Sequence, residues 1–200
     1  MSSEMQLSRR KALRLGATFA LAALGLAPGV RAMPQATDAP ATMGLPTELQ
    51  SALPAAQLLG SGRLRFLGMS IYDSWLWVPS GFNAASYAQS PFALELIYRR
   101  GLSGKLIAER SLKEMRRQGS FSALQEQAWL QAMEQAFPDV KNGDRITALH
   151  SPGVGARFWF NGQARGAVAD ADFSRFFFGI WLSDASSEPQ LRSQLLGKTS

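Results

Sequence analysis

The sequence predicts an α+β fold, an open-faced and largely antiparallel β-sheet backed by helices. Three observations carry this expectation. Alternating and aromatic residues concentrate in two blocks, 61–98 and 145–169; helical spacing takes over between them and again after residue 170; and Asn161-Gly162 marks a tight hairpin in the second block. Strands that cluster in runs, instead of alternating singly with helices, favour antiparallel pairing over a parallel crossover sheet.

The amino terminus stands apart from that pattern. Ser8-Arg9-Arg10-Lys11-Ala12-Leu13-Arg14 is a basic stretch with an arginine pair, followed by an uncharged Ala/Leu-rich run from Leu15 to Leu26. The run is too short, and too interrupted by Gly16, Gly25 and Pro28, to span a bilayer. Val30-Arg31-Ala32 presents small residues where a signal peptidase reads, so cleavage is expected after Ala32. Residues 1–32 therefore read as a signal peptide of twin-arginine type, although Ala12 stands where that motif prefers Phe. The expected location is the periplasm.

Charge follows the same division. The whole chain has 21 Lys and Arg against 15 Asp and Glu, and residues 1–32 hold five of the former and one of the latter. The remainder carries 16 against 14, a net of +2. No basic stripe with interleaved aromatics is present, so nucleic acid is not an expected partner. The chain contains no cysteine, which excludes disulfides and thiol chemistry.

Residues 33–54, rich in Ala, Pro, Thr and Gln, are expected to form a flexible tether, with order beginning near Gln57. Ser61 to Val78 reads as two strands with Gly68 in the interior and a break at Asp73-Ser74. Phe92, Leu94, Leu96 and Tyr98 share one face of a third strand by alternation. A helix is expected over 103–118, with Ser103 as cap and Gly119 as stop. Ser120 or Ser122 caps a second helix through Ala136, whose stripe is Leu124, Ala128, Trp129, Met133 and Phe137, with Pro138 ending it. Strands follow at 145–150 and 155–160, and Asn161-Gly162 returns 163–169 alongside. Asp170 or Asp172 caps an aromatic helix through Trp181, and Pro189 opens a last short helix over 188–196.

The reactive inventory is thin. His150 is the single histidine, has no acidic partner at ligand spacing, and no serine sits in a G-x-S-x-G elbow. Gly60-Ser61-Gly62 is a turn-like cluster and not a phosphate loop. No hydrolase, redox or metal constellation survives, and no cofactor is expected. What remains is a surplus of large apolar side chains with a few polar groups among them. On the helix over 103–118, Ile107, Arg110, Ser111, Glu114 and Met115 lie on one face. Arg110 and Glu114 there form either an i, i+4 ion pair at the core margin or a polar anchor inside a greasy cleft.

The stretch Gly60-Ser61-Gly62-Arg63-Leu64-Arg65-Phe66-Leu67-Gly68-Met69-Ser70-Ile71-Tyr72 resembles the first long strands of the chalcone isomerase fold, where a glycine-bounded strand runs into a Phe–Tyr pattern like Phe66 to Tyr72. The likeness continues through Phe92–Tyr98, Leu102-Ser103-Gly104, Phe137-Pro138-Asp139-Val140, the Phe158–Gly162 hairpin and Phe173–Trp181. It covers residues 55–197 and resembles the bacterial chalcone isomerase-like proteins. It implies a ligand cleft between sheet and helices. The plant enzymes' threonine falls on Leu67, their tyrosine on Ile107 and their asparagine on Glu114, while Pro54-Ala55-Ala56 stands where an arginine is expected. Leu67 and Ile107 supply no cation or hydrogen bond to a developing enolate, so chalcone isomerase activity is not expected.

The resulting expectation is a non-catalytic binding protein for a fatty acid or similar apolar small molecule, with transient membrane contact allowed. Arg110, Ser111 and Glu114 are its candidate polar contacts, with Ile107 and Tyr72 beside them. Arg63 and Arg65 are alternative carboxylate anchors, placed by alternation on the face of Leu67 and Met69. Phe158 and Phe160 either line the cleft or plug it. The alternative is an isomerase or lyase of unknown substrate with Glu114 as base and Arg110 as its electrostatic partner.

Overall fold

The structure, a computed structural model, describes residues 44–198. Residues 1–32, expected as the signal peptide, and the first part of the expected tether lie outside these residues. Six strands form one sheet in sequence order: β1 (Gln57–Phe66), β2 (Met69–Val78), β3 (Phe92–Tyr98), β4 (Arg145–Ser151), β5 (Gly155–Phe160) and β6 (Gln163–Val168). Every neighbouring pair is antiparallel. Helices α1 (Gly104–Met115), α2 (Ala123–Ala136), α3 (Ala171–Leu182) and α4 (Pro189–Leu195) cover one face. The fold is the α+β open sheet that the segregated runs predict.

Local chemistry explains most boundaries. Asn161 and Gly162 take φ of 50° and 83°, the primed turn that joins β5 to β6. Ser122 and Gln125 close a reciprocal capping box on α2, and the Asp170 carboxylate accepts the Phe173 N–H at the start of α3. Ser103 occupies the cap position of α1, but its hydroxyl makes no capping bond; the Asp139 carboxylate accepts the Gly104 N–H instead. On α2 only Trp129, Met133 and Ala136 are buried, whereas Leu124 and Ala128 of the expected stripe are exposed. The helix lies at the margin of the layer and turns a narrow edge inward.

Three further expectations are corrected by packing. The break in the first block falls at Leu67-Gly68, with φ of 49° and 77°, and not at Asp73-Ser74. Both of the latter lie inside β2, fully buried: the Asp73 carboxylate accepts from Arg63 and Arg99, and the Ser74 hydroxyl donates to the Gly62 carbonyl. Paired in this way, two polar residues can occupy a strand interior. Gly60 and Gly62 are not a turn but the seat of α4 on β1, because a Cβ at Gly60 would stand 2.2 Å from the Gln194 carbonyl oxygen.

The third correction concerns the tether. Its described part, 44–54, forms a 3-10 turn at Thr47–Leu49 and packs against the sheet face away from the helices. Leu49 and Leu53 are buried there with Trp75, Trp77, Ala93 and Leu149. Arg145 binds Glu48 at 3.0 Å and Glu95 at 3.2 Å, and Thr147 donates to Glu48. Order thus begins before Gln57. A meander sheet with tryptophans on its second face needs a cover, and this segment provides it.

Candidate ligand cavity

Strand alternation turns Leu96, Tyr98 and Ile146 toward the helices, and a β-bulge adds to them. Leu64 pairs with Tyr72 and Arg65 with Ser70, so Ile71 is the extra residue on β2. The bulge lets Ile71 and Tyr72, neighbours in the chain, both face the cavity. Above this floor, α1 contributes Leu106, Ile107, Arg110, Ser111 and Glu114; α3 contributes Phe177, Ile180 and Trp181; and the start of α4 contributes Glu188 and Leu191. They enclose about 230 Å³. That is somewhat below the ~300 Å³ at which ordinary small-molecule clefts begin.

The polar groups gather on one wall. The Trp181 Nε1–H donates to the Tyr72 hydroxyl at 3.0 Å, and no acceptor among the described residues takes the tyrosine's own proton. Burial pushes the Tyr72 phenol well above its ordinary pKa, so it stays a neutral donor. Glu114 is buried, with Oε1 at 2.8 Å from Arg110 Nη2 and Oε2 without a hydrogen bond, although Arg117 Nε lies 3.6 Å from it. Arg110 stands half in solvent. The Ser111 hydroxyl donates back to the Ile107 carbonyl at 2.8 Å. The arrangement offers hydrogen bonds beside a hydrocarbon-lined hollow. Among the described residues no cluster of His, Asp and Glu could hold a metal ion.

Of the residues expected from sequence, Arg110, Ser111, Glu114, Ile107 and Tyr72 meet at this cavity. The others do not. Arg63 is bound to buried Asp73 on the opposite face, and Arg65 is exposed next to the hairpin turn. Leu67 sits at the tip of that hairpin, 82% exposed. On β1 it is Leu64, between the two arginines, that faces the cavity, and Leu67 lies in the turn. Phe158 is 1% exposed and packs edge-on against Phe137 and Phe177, plugging the interior beside the cavity. Phe160 lines a separate shallow depression with Asp139, Lys141 and Asn161. Trp181 and Tyr98 were missed as lining residues. Alternation gives the face of Tyr98, but which part of that face borders the cavity, and the meeting of Trp181 with Tyr72, depend on partners far away in the chain.

His150 lies at the end of a strand, one residue before β4 finishes. It is buried on β4, with Nε2 at 3.0 Å from the Ala88 carbonyl and Nδ1 at 2.6 Å from the Ser174 hydroxyl. Burial lowers its pKa, and it lies outside the cavity lining.

A six-stranded antiparallel meander carrying helices on one face, with an apolar hollow between the layers, defines an α+β open-sheet class of protein. The chalcone isomerase-like family model matches residues 39–197, and the chain belongs to that family. An uncharacterized protein of Haemophilus influenzae is 30% identical over 151 residues, covering 74% of this chain and 73% of that protein. Among solved structures, a fatty-acid binding protein of Arabidopsis thaliana superposes with a TM-score of 0.58 at 15% identity, over 79% of this chain and 90% of that one. This likeness is one of fold.

Proposed function

We propose that the protein is a non-catalytic carrier that takes a fatty acid or similar single-chain amphiphile into the cavity between α1, α3 and the sheet. The observation that carries this reading is the apolar hollow itself, walled by Leu64, Ile71, Leu96, Ile146 and Ile180 and bordered by the Tyr72, Arg110 and Glu114 polar wall. The fatty-acid binding neighbour of the same fold supports it by analogy. The arginine pair, apolar run and Ala32 site support twin-arginine export and a periplasmic place of work. The test is solvent extraction of natively purified protein followed by mass spectrometry. An acyl-chain compound at near-equal molar amount is expected; a ligand-free protein that takes up no acyl probe overturns the carrier.

Lipid exchange with a membrane belongs to this proposal. The β1–β2 tip exposes Phe66, Leu67 and Met69 together, and a non-glycine residue at positive φ is strained there without a packing reason. Arg65 and Arg100 flank the tip, and Arg100 Nη1 donates to Met69 Sδ. Apolar residues ringed by cations suit an anionic lipid surface.

One observation favours a second reading. Glu114 Oε2 is buried without a hydrogen bond, as a proton-abstracting carboxylate in an isomerase or lyase would be. Loss of a measured turnover in a folded Glu114→Gln variant would establish that reading over the carrier.

A further inference from the structure

The carrier reading leaves the ligand's head group undefined, and the hydrogen-bond accounting at the polar wall narrows it. Among the side chains lining the cavity, Arg110 is the one cation and Glu114 and Glu188 are anions. Arg110 is already bound to Glu114 at 2.8 Å. An incoming carboxylate would therefore meet a guanidinium already paired with an anion, and the buried Glu114 carboxylate beside it as a like charge. The Ser111 proton is also committed, to the Ile107 carbonyl.

Two groups of opposite character lack a hydrogen-bond partner there, although Arg117 Nε stands 3.6 Å from one of them, Glu114 Oε2. Tyr72 accepts from Trp181 but donates to nothing among the described residues, and Glu114 Oε2 is a buried acceptor with no hydrogen bond. A buried polar atom without a partner is costly, which makes each of them a ready site for a ligand atom. One is a donor and the other an acceptor.

We infer that the cavity selects single-chain amphiphiles with an uncharged head group that both donates and accepts a hydrogen bond, such as a hydroxyl, a primary amide or a protonated carboxyl, and discriminates against carboxylates. This rests on the carrier reading and narrows it. The Tyr72 hydroxyl donates a hydrogen bond to the head-group oxygen, and Glu114 Oε2 accepts one from the head group's own O–H or N–H. Glu114 is the residue that decides specificity, because it offers the acceptor, occupies Arg110 and repels an anion.

The test is isothermal titration of the delipidated full chain with dodecanol and with dodecanoate at mildly alkaline pH, where the acid is ionised. Dodecanol is expected to bind at least about tenfold more tightly. Dodecanoate binding equally well or better overturns the inference and leaves the carrier reading standing; binding of neither overturns both. In Glu114→Gln, dodecanoate affinity is expected to rise by about tenfold, since the anion is gone and Arg110 is released. Unchanged dodecanoate affinity in that variant counts against the assignment. Tyr72→Phe, which removes only the donor, is expected to weaken dodecanol by about tenfold, and undiminished dodecanol binding there also overturns the inference.

Discussion

The indole of Trp181 donates a hydrogen bond to the hydroxyl of Tyr72 across 3.0 Å, tying α3 to β2 at the wall of the cavity. The two residues are separated by 109 positions, and both line the hollow between helices and sheet. Trp181 also packs edge-on against Phe177, so the bond is anchored in the aromatic core. It fixes the tyrosine's oxygen as an acceptor toward the helix and leaves its proton for the cavity.

Trp181→Phe removes the donor to the Tyr72 oxygen and part of the ring that packs on Phe177. A stability loss of about 1–3 kcal/mol is expected in denaturant unfolding. An unchanged midpoint would mean that the tyrosine finds another donor.

Leu67→Asn tests the exposed hairpin tip. Asparagine tolerates positive φ better than leucine, so the folded state should gain up to about 1 kcal/mol. Sedimentation with anionic phospholipid vesicles should fall at the same time. A variant that is more stable and still sediments as before would separate the tip from lipid contact.

Leu49→Ala addresses the cover on the second sheet face. Leu49 is fully buried between the sheet's tryptophans and Leu53, so a loss of about 2–5 kcal/mol is expected. A surface-like effect below about 0.5 kcal/mol would mean that the segment does not pack there.

Stability should also depend on pH through His150. Its folded pKa lies below the ordinary 6.5 because burial disfavours the charged ring. The unfolded chain therefore binds the proton more readily, and the stabilising contribution is complete above 6.5 and lost as pH falls through the lowered folded value. Thermal unfolding should show a decline below that point which His150→Phe lacks. Parallel profiles for the two proteins would exclude the histidine as its source.

Several features were legible from residues alone. Asn161-Gly162 predicts its hairpin because two consecutive positive φ angles suit few other dipeptides; for the helix starts the sequence offers Ser120 or Ser122 and Asp170 or Asp172, and the structure selects Ser122 and Asp170. The face of α1 carrying Ile107, Arg110, Ser111 and Glu114 follows from helical spacing, and those residues do meet at one cavity. In each case the interaction spans a handful of residues, so local order suffices to describe it.

The sheet was less readable. Arg63 and Arg65 alternate with Leu64, and only the partners of β1 decide that Leu64 faces the cavity while Arg63 binds Asp73 on the other side; the bulge at Ile71 likewise depends on that pairing. Segment 44–54 reads as linker because its composition is poor in aromatics, while its two buried leucines find tryptophans that the sequence places on β2.

What the sequence by itself determined is the order and type of the main strands and helices, the Asn161-Gly162 turn, and the polar face of α1. The tertiary structure alone decided which groups share the cavity, which cation is already spent on an anion, and what covers the second face of the sheet. The physical reason is that strand register, bulges and pairing are set by partners tens of residues away, whereas helix faces and tight turns are set by near neighbours.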